Sequence, residues 1–179
     1  MPKKQINDYF KLLQIKRKNR LNSFLSFSIY QKMKGKVAVI GALTNFGRSL
    51  LDYLADNGWP ITDVFALDRI EPKSVQIPYH HDFLDVLSMD TFDFHRVRIC
   101  FLCLSAFLSD DREAILKSGA YLIDCVGILE NASCIIASLN IKKSRKSRLI
   151  LNPTALTIAL TKILSPIHNY MPITDAQAT

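Results

Sequence analysis

The chain is predicted to fold as an α/β domain built on a doubly wound, mainly parallel sheet. Three observations support this. Short continuous apolar runs alternate with stretches of helical periodicity from residue 36 onward. The first run ends at a glycine that opens a helix. Apolar residues make up 49% of the 179, enough for one domain with a sizeable core.

Val37-Ala38-Val39-Ile40 has no alternation, as expected of a parallel strand covered on both faces. Phe46, Leu50, Leu51 and Leu54 then recur at helical spacing up to a stop at Asn57-Gly58, and Trp59-Pro60 reads as a helix-to-strand turn packed by its aromatic ring. Asp63 to Leu67 is predicted as the second strand, followed by a polar stretch with Pro72 and Pro78. Val97 to Leu104 is the predicted central strand. A helix is predicted from Ser109, its candidate cap, through the acidic first turn Asp110-Asp111 to Gly119. Tyr121 to Cys125, Cys134 to Ala137 and Arg148 to Leu151 are read as further strands, and Thr154 to Leu164 as a closing helix.

The net charge of +7 belongs to one segment. Residues 1–32 hold eight Lys or Arg against the single acid Asp8, whereas the remaining 147 residues carry 15 of each sign. Residues 1–32 therefore read as a disordered basic leader, or as upstream sequence before a start at Met33; as a transit peptide they would be Lys-rich where such peptides favour Arg. The neutral body gives no electrostatic reason to expect a nucleic-acid partner, and no stretch has the length of a membrane span. The four cysteines lie in apolar runs and are expected to be buried and reduced, as in a cytoplasmic protein. Cys100 and Cys103 have metal-site spacing, but three residues apart on a strand they face opposite ways.

Other polar clusters are read as structural. His80-His81, near Asp82 and Asp85, is expected to be a surface turn rather than a metal site, and no metal is expected elsewhere. His95 and His168 have no identifiable partners, and Ser105 and Ser109 have no paired base. The basic run Lys142 to Arg148 is read as a solvated turn in preference to a phosphate site.

The stretch most informative about function is Gly41-Ala42-Leu43-Thr44-Asn45-Phe46-Gly47. Between a strand and a helix, dinucleotide-binding folds place a tight glycine turn, so that a diphosphate approaches the backbone and faces a helix amino terminus. Asp68 ends the second strand 21 residues beyond Gly47, where such folds hold a ribose hydroxyl, although an Asp there is also ordinary turn chemistry.

With these residues in view the chain resembles the amino-terminal half of the aspartate-semialdehyde dehydrogenases. Val37 to Ala42 with Phe46-Gly47-Arg48 and Leu51 is similar to that family's opening strand and Gly-Ala-Thr-Gly-Ala-Val-Gly turn. Ser105-Ala106 resembles its Ser-Ala-Gly-Gly loop, and Lys117 to Asp124 its Lys-Ala-Gly-Ala-Val-Val-Ile-Asp segment. Leu149 to Pro153 resembles the lead-in to its Asn-Pro-Asn-Cys-Ser-Thr motif, with Thr157 at the last position. The resemblance implies a Rossmann-like fold binding NADP or NAD through Gly41, Ala42, Asn45, Phe46, Gly47, Arg69, Ser105, Ala106, Asn152 and Pro153. Arg69 matches a family arginine that can meet the adenosine phosphate of NADP. The family reaction joins aspartate semialdehyde and aspartyl phosphate in lysine, threonine and methionine biosynthesis: a cysteine attacks the aldehyde, hydride passes to the cofactor, and phosphate releases the acyl group.

The departures from the family pattern point away from catalysis. Ala155 stands where the nucleophilic cysteine belongs, so no catalytic residue is assigned. Thr44 replaces the middle glycine and is expected to obstruct the diphosphate. Phe107-Leu108 replaces two glycines, and Cys125 to Glu130 lacks the family's phosphate-binding arginine. The resemblance assigns residues 33–165 to the dinucleotide domain and 166–179 to a truncated interdomain crossover, with the second, dimerisation domain missing. The expectation is a degenerate, inactive homologue. The alternative is a non-catalytic NAD(P)-binding or interaction module that self-associates or pairs with a separately encoded second half.

Overall fold

The computed structural model describes residues 35–69, 75–135 and 147–174. The leader 1–32, Pro72, the far end of the strand expected to reach Ala137, the basic run as far as Lys146 and residues 175–179 lie outside them.

Among these residues eight strands form one sheet in the order β3-β4-β2-β1-β5-β6-β8-β7. They are β1 Val37–Ile40, β2 Val64–Asp68, β3 Val75–Tyr79, β4 Asp82–Ser88, β5 Ile99–Leu102, β6 Tyr121–Asp124, β7 Ser133–Cys134 and β8 Leu149–Leu151. Every pairing is parallel except β3 with β4. The α-helices among the described residues are α1 Asn45–Asp56, α2 Ser109–Lys117 and α3 Ala155–Tyr170. From β1 the chain winds out to β2 and β4 on one side and to β5, β6 and β8 on the other. The strand order therefore reverses between β1 and β5, the doubly wound Rossmann-like arrangement whose ligand crevice lies at the carboxyl ends of those strands.

The two faces of the sheet carry separate cores. Val37, Val39, Phe101 and Cys103 pack on one face with Leu50, Leu51 and Leu54 of α1. Ala38, Ile40, Cys100 and Leu102 pack on the other with Ile115 of α2, Met89 and Phe94. Cys100 and Cys103 thus take opposite faces, as the strand period requires. Burial in this apolar layer pushes the Cys100 thiol up to about 12. All four residues of β1 are fully buried, which explains its unbroken apolar run.

Several expectations are corrected. The polar stretch after β2 contains the β3–β4 hairpin, whose two-residue turn is His80-His81. His80 has φ +57, and its ring Nε2 meets the Ala55 carbonyl at the end of α1. Ile77, Tyr79, Leu84 and Val86 face the core, and Pro78 lies on the edge strand, where a missing N–H is tolerated. Trp59 packs against the core as expected, with its carbonyl accepting from the Tyr79 hydroxyl at 2.8 Å. Ser109 does not cap α2: it is the first helical residue, and Leu108 occupies the cap position. The Asp111 carboxylate instead accepts the Leu108 N–H at 2.9 Å. The closing helix runs through Pro166 to Tyr170, beyond the expected Leu164. None of the four cysteines is in a disulfide, but Cys125 is only half-buried and Cys134 is exposed.

Candidate dinucleotide site

The turn after β1 is shaped by its two glycines. Gly41 has φ +84, and a Cβ there would meet the Leu104 backbone nitrogen at 2.8 Å. A Cβ on Gly47 would stand 2.1 Å from the Gly41 carbonyl oxygen, so only glycine lets α1 start this close to β1. A tight glycine turn between strand and helix was the expectation from the sequence. The buried Ala42 lies between the turn and the core of the α1 face.

Thr44 behaves differently from the expected obstruction. It takes the N-cap of α1 in an extended conformation, and its hydroxyl oxygen accepts the Gly47 N–H at 3.0 Å. The same hydroxyl donates to the Gly41 carbonyl at 2.7 Å and lies 3.3 Å from that of Cys103. The side chain is therefore folded into the turn. What it changes is the supply of donors, since Gly47 N–H is now taken. The amides of Gly41 and Ala42 go to the Leu67 carbonyl, and that of Thr44 to the Gly41 carbonyl. A diphosphate would meet the helix terminus around Asn45 and Phe46, the first residues of α1.

Asp68 makes the turn contacts that were one of its two sequence readings. It is buried; Oδ2 accepts the Leu43 N–H at 2.9 Å and Oδ1 accepts the Arg69 N–H at 2.9 Å. Both carboxylate oxygens thus hold backbone amides, tying the glycine turn to the end of β2, and so compensate the burial of the charge. Asp124, fully buried at the end of β6, does the same for the next loop, accepting from Val126, Gly127 and Leu129.

Arg69 follows Asp68 and reaches across the ends of β1 and β5. Its Nη1 pairs with Asp90 at 3.2 Å, its Nη2 with Asp111, and its Nε donates to the Ala106 carbonyl at 3.4 Å. Asp90 and Asp111 as partners of Arg69 escaped sequence reasoning, because nothing in spacing joins residues 21 and 42 positions apart. Thr44 as a cap was readable, since a threonine directly before a helical run is an N-cap signal.

The structure brings Gly41, Ala42, Asn45, Phe46, Gly47, Arg69, Ser105 and Ala106 together at the carboxyl ends of β1, β2 and β5. Asn152 and Pro153 follow β8 on the same edge, three strands from β1, or roughly 14 Å at the usual strand spacing. There the Asn152 N–H donates to the Asp124 carbonyl at 2.9 Å, and the Asn152 side chain to the Pro153 carbonyl at 3.0 Å. Thr154 caps α3 by accepting the Thr157 N–H, and Ala155 is the first helical residue.

The two histidines expected to lack partners have local ones. His95 Nδ1 lies 2.9 Å from Asp93 Oδ1, and His168 Nδ1 accepts the Ile173 N–H at 3.1 Å. The hydrogen bonds from His95, backbone first, hold the Asp93 carboxyl below its ordinary range. Among the described residues no group of His, Cys, Asp or Glu is arranged to hold a metal, and no helix is long and apolar enough to cross a membrane.

No family model matches the chain. Among curated proteins it is similar to the aspartate-semialdehyde dehydrogenase of Rickettsia typhi, 28% identical over 149 residues, which covers 78% of this chain and 44% of the relative. Among solved structures it matches a probable aspartate-semialdehyde dehydrogenase from Pseudomonas aeruginosa with TM-score 0.65 and 26% identity, covering 75% of this chain and 42% of that one. It also matches aspartate semialdehyde dehydrogenase II of Vibrio cholerae, complexed with ASA, at TM-score 0.66 and 22% identity, a likeness of fold alone. The chain spans less than half the length of these proteins.

Proposed function

We propose that this chain, which is related to the amino-terminal region of the aspartate-semialdehyde dehydrogenases, is a non-catalytic member of that kinship that keeps a nicotinamide-dinucleotide turn. The observation that carries the reading is Ala155. It is the first residue of α3, directly after Asn152-Pro153-Thr154, where a cysteine would sit in the field of a helix terminus and ionise to attack an aldehyde. Alanine has neither a lone pair nor a proton to give, so no thioester forms there. The last cysteine of the chain is Cys134, and it lies exposed on the edge strand β7.

Retained cofactor binding is supported by Gly41 and Gly47, which occupy positions where a side chain has no room. NAD or NADP would lie along the carboxyl ends of β2, β1 and β5. The diphosphate would sit at Asn45 and Phe46, and the nicotinamide end would run past Ser105 and Ala106 toward Asn152 and Pro153. Bound cofactor would supply hydride acceptance, which this chain has no nucleophile to exploit.

Two measurements test the reading. Purified chain with aspartate semialdehyde, phosphate and either dinucleotide is expected to produce no reduced cofactor, and any sustained turnover overturns the inactive assignment. Calorimetric titration with each dinucleotide is expected to give one saturable site. No heat from a verifiably folded sample would leave a scaffold without its ligand.

A partner role has its own observation. Leu156, Ile163, Ile167, Tyr170 and Met171, on and just after α3, are all exposed, an apolar stripe of the kind that pairs with another surface. We take self-association, or docking of a polypeptide like the relatives' remaining half, as the use of this side of α3. Sedimentation of the chain alone at rising concentration distinguishes the first from the second.

A further inference from the structure

We propose that Asp111, assisted by Asp90, makes this crevice select a dinucleotide with a free ribose 2′-hydroxyl and reject one bearing a 2′-phosphate; the inference rests on the nucleotide-binding reading above. In doubly wound dinucleotide folds the residues at the end of the second strand read the ribose 2′ position, an acid for a hydroxyl and an arginine for a phosphate. Arg69 is placed for the second role at the end of β2, but its charge is already engaged. Asp90 takes Nη1, Asp111 takes Nη2, and the Ala106 carbonyl takes Nε.

Two carboxylates around one guanidinium leave the cluster with a net negative charge. A 2′-phosphate, with about two negative charges near neutral pH, would have to displace one of them. Asp111 is the harder to move. Its side chain is only 16% exposed, and the oxygen that meets Arg69 also accepts the Leu108 N–H at 2.9 Å at the start of α2. Asp90, at 57%, is the looser partner. A 2′-hydroxyl brings no charge, and it can donate a hydrogen bond to either carboxylate. Each oxygen of the neighbouring Asp68 already accepts one backbone amide.

The test is calorimetric titration of the full chain with NAD and with NADP, repeated on Asp111→Asn, on Asp90→Asn and on the pair of both substitutions. Asparagine keeps an oxygen for the Leu108 N–H while removing the charge, so α2 keeps its start; circular dichroism checks the fold. Wild type is expected to bind NAD at least about tenfold more tightly than NADP, about 1.4 kcal/mol. The pair variant is expected to narrow or reverse that ratio, with an NADP affinity that falls as salt is raised. Asp90→Asn alone, at the more exposed position, is expected to shift the ratio the same way by a smaller factor. Wild type binding NADP as tightly as NAD overturns the inference while leaving the nucleotide site in place, as does a ratio that none of the variants moves. Absence of binding by every form to either dinucleotide overturns the nucleotide-binding reading itself, and the selectivity with it.

Discussion

Helices α1 and α3 begin alike and end in opposite surroundings. Each starts from an extended threonine whose side chain accepts a first-turn amide, Thr44 from Gly47 and Thr154 from Thr157. α1 then buries Gly47, Leu50, Leu51, Leu54 and Ala55 against the sheet. No residue of α3 whose burial is described is buried, although the helix is the longer of the two and is apolar on several sides. Capping chemistry is local and can be identical at two helices, whereas stability comes from what each helix covers. The glycine turn thus belongs to the firmest part of the fold, while Ala155 opens a helix that covers little, the low-stability end where local opening is expected.

Substitutions can break or sharpen this contrast. The largest effect is expected from Gly47→Ala, because the new Cβ would stand 2.1 Å from a backbone oxygen. Urea unfolding should register a loss of about 4 kcal/mol, at the exceptional end for point mutants, or failure to fold. A near-neutral result would mean that α1 can slide away from β1. Next comes Leu54→Ala, which empties a fully buried position and should cost about 3 kcal/mol, whereas Leu156→Ala on the exposed side of α3 should stay within about 0.5 kcal/mol. Equal costs for the two would show that α3 is covered in solution. Thr44→Ala removes a cap that also braces the Gly41 carbonyl and should cost about 1–2 kcal/mol; Thr154→Ala should cost less, because its helix is already close to fraying. Amide exchange measured over α1 and α3 reports the same ordering residue by residue. The smallest effect is a null. At about pH 8 a thiol reagent should leave Cys100 unmodified in the folded chain while labelling the exposed Cys134. The raised pKa of Cys100 also fixes a sign: its contribution to stability is complete below 9 and is lost as pH rises toward 12, because the unfolded thiol ionises first.

What was legible in the sequence follows the same division. β1 and α1 were readable because each satisfies a single period against a fixed core: an unbroken apolar run for a strand buried on both faces, and a 3.6-residue repeat for a helix covering one. The β3–β4 hairpin was missed although the apolar Val75, Ile77 and Tyr79 fall at alternate positions. Pro78 argued against a strand, and the turn uses His80 at φ +57 instead of the glycine or asparagine that usually marks such a turn. In the turn after β1, the demand for Gly41 and Gly47 was legible because their constraint is steric and local. The engagement of Asp68 and Arg69 was not, since it depends on which amides and carboxylates the sheet brings to one edge.

Pro78 also decides how this sheet can grow. It sits in β3, the outermost strand on its side, and contributes no amide hydrogen to a further ladder. The opposite margin, β7, is a two-residue strand and offers little template. Among the described residues, a fibril or swapped dimer built by extending the sheet would therefore have to start from one edge that is chemically interrupted or another that is short. Among the described residues the exposed apolar side chains gather on a helix and the strand margins are blunted, so contacts with other molecules are steered toward side-chain packing and away from backbone pairing.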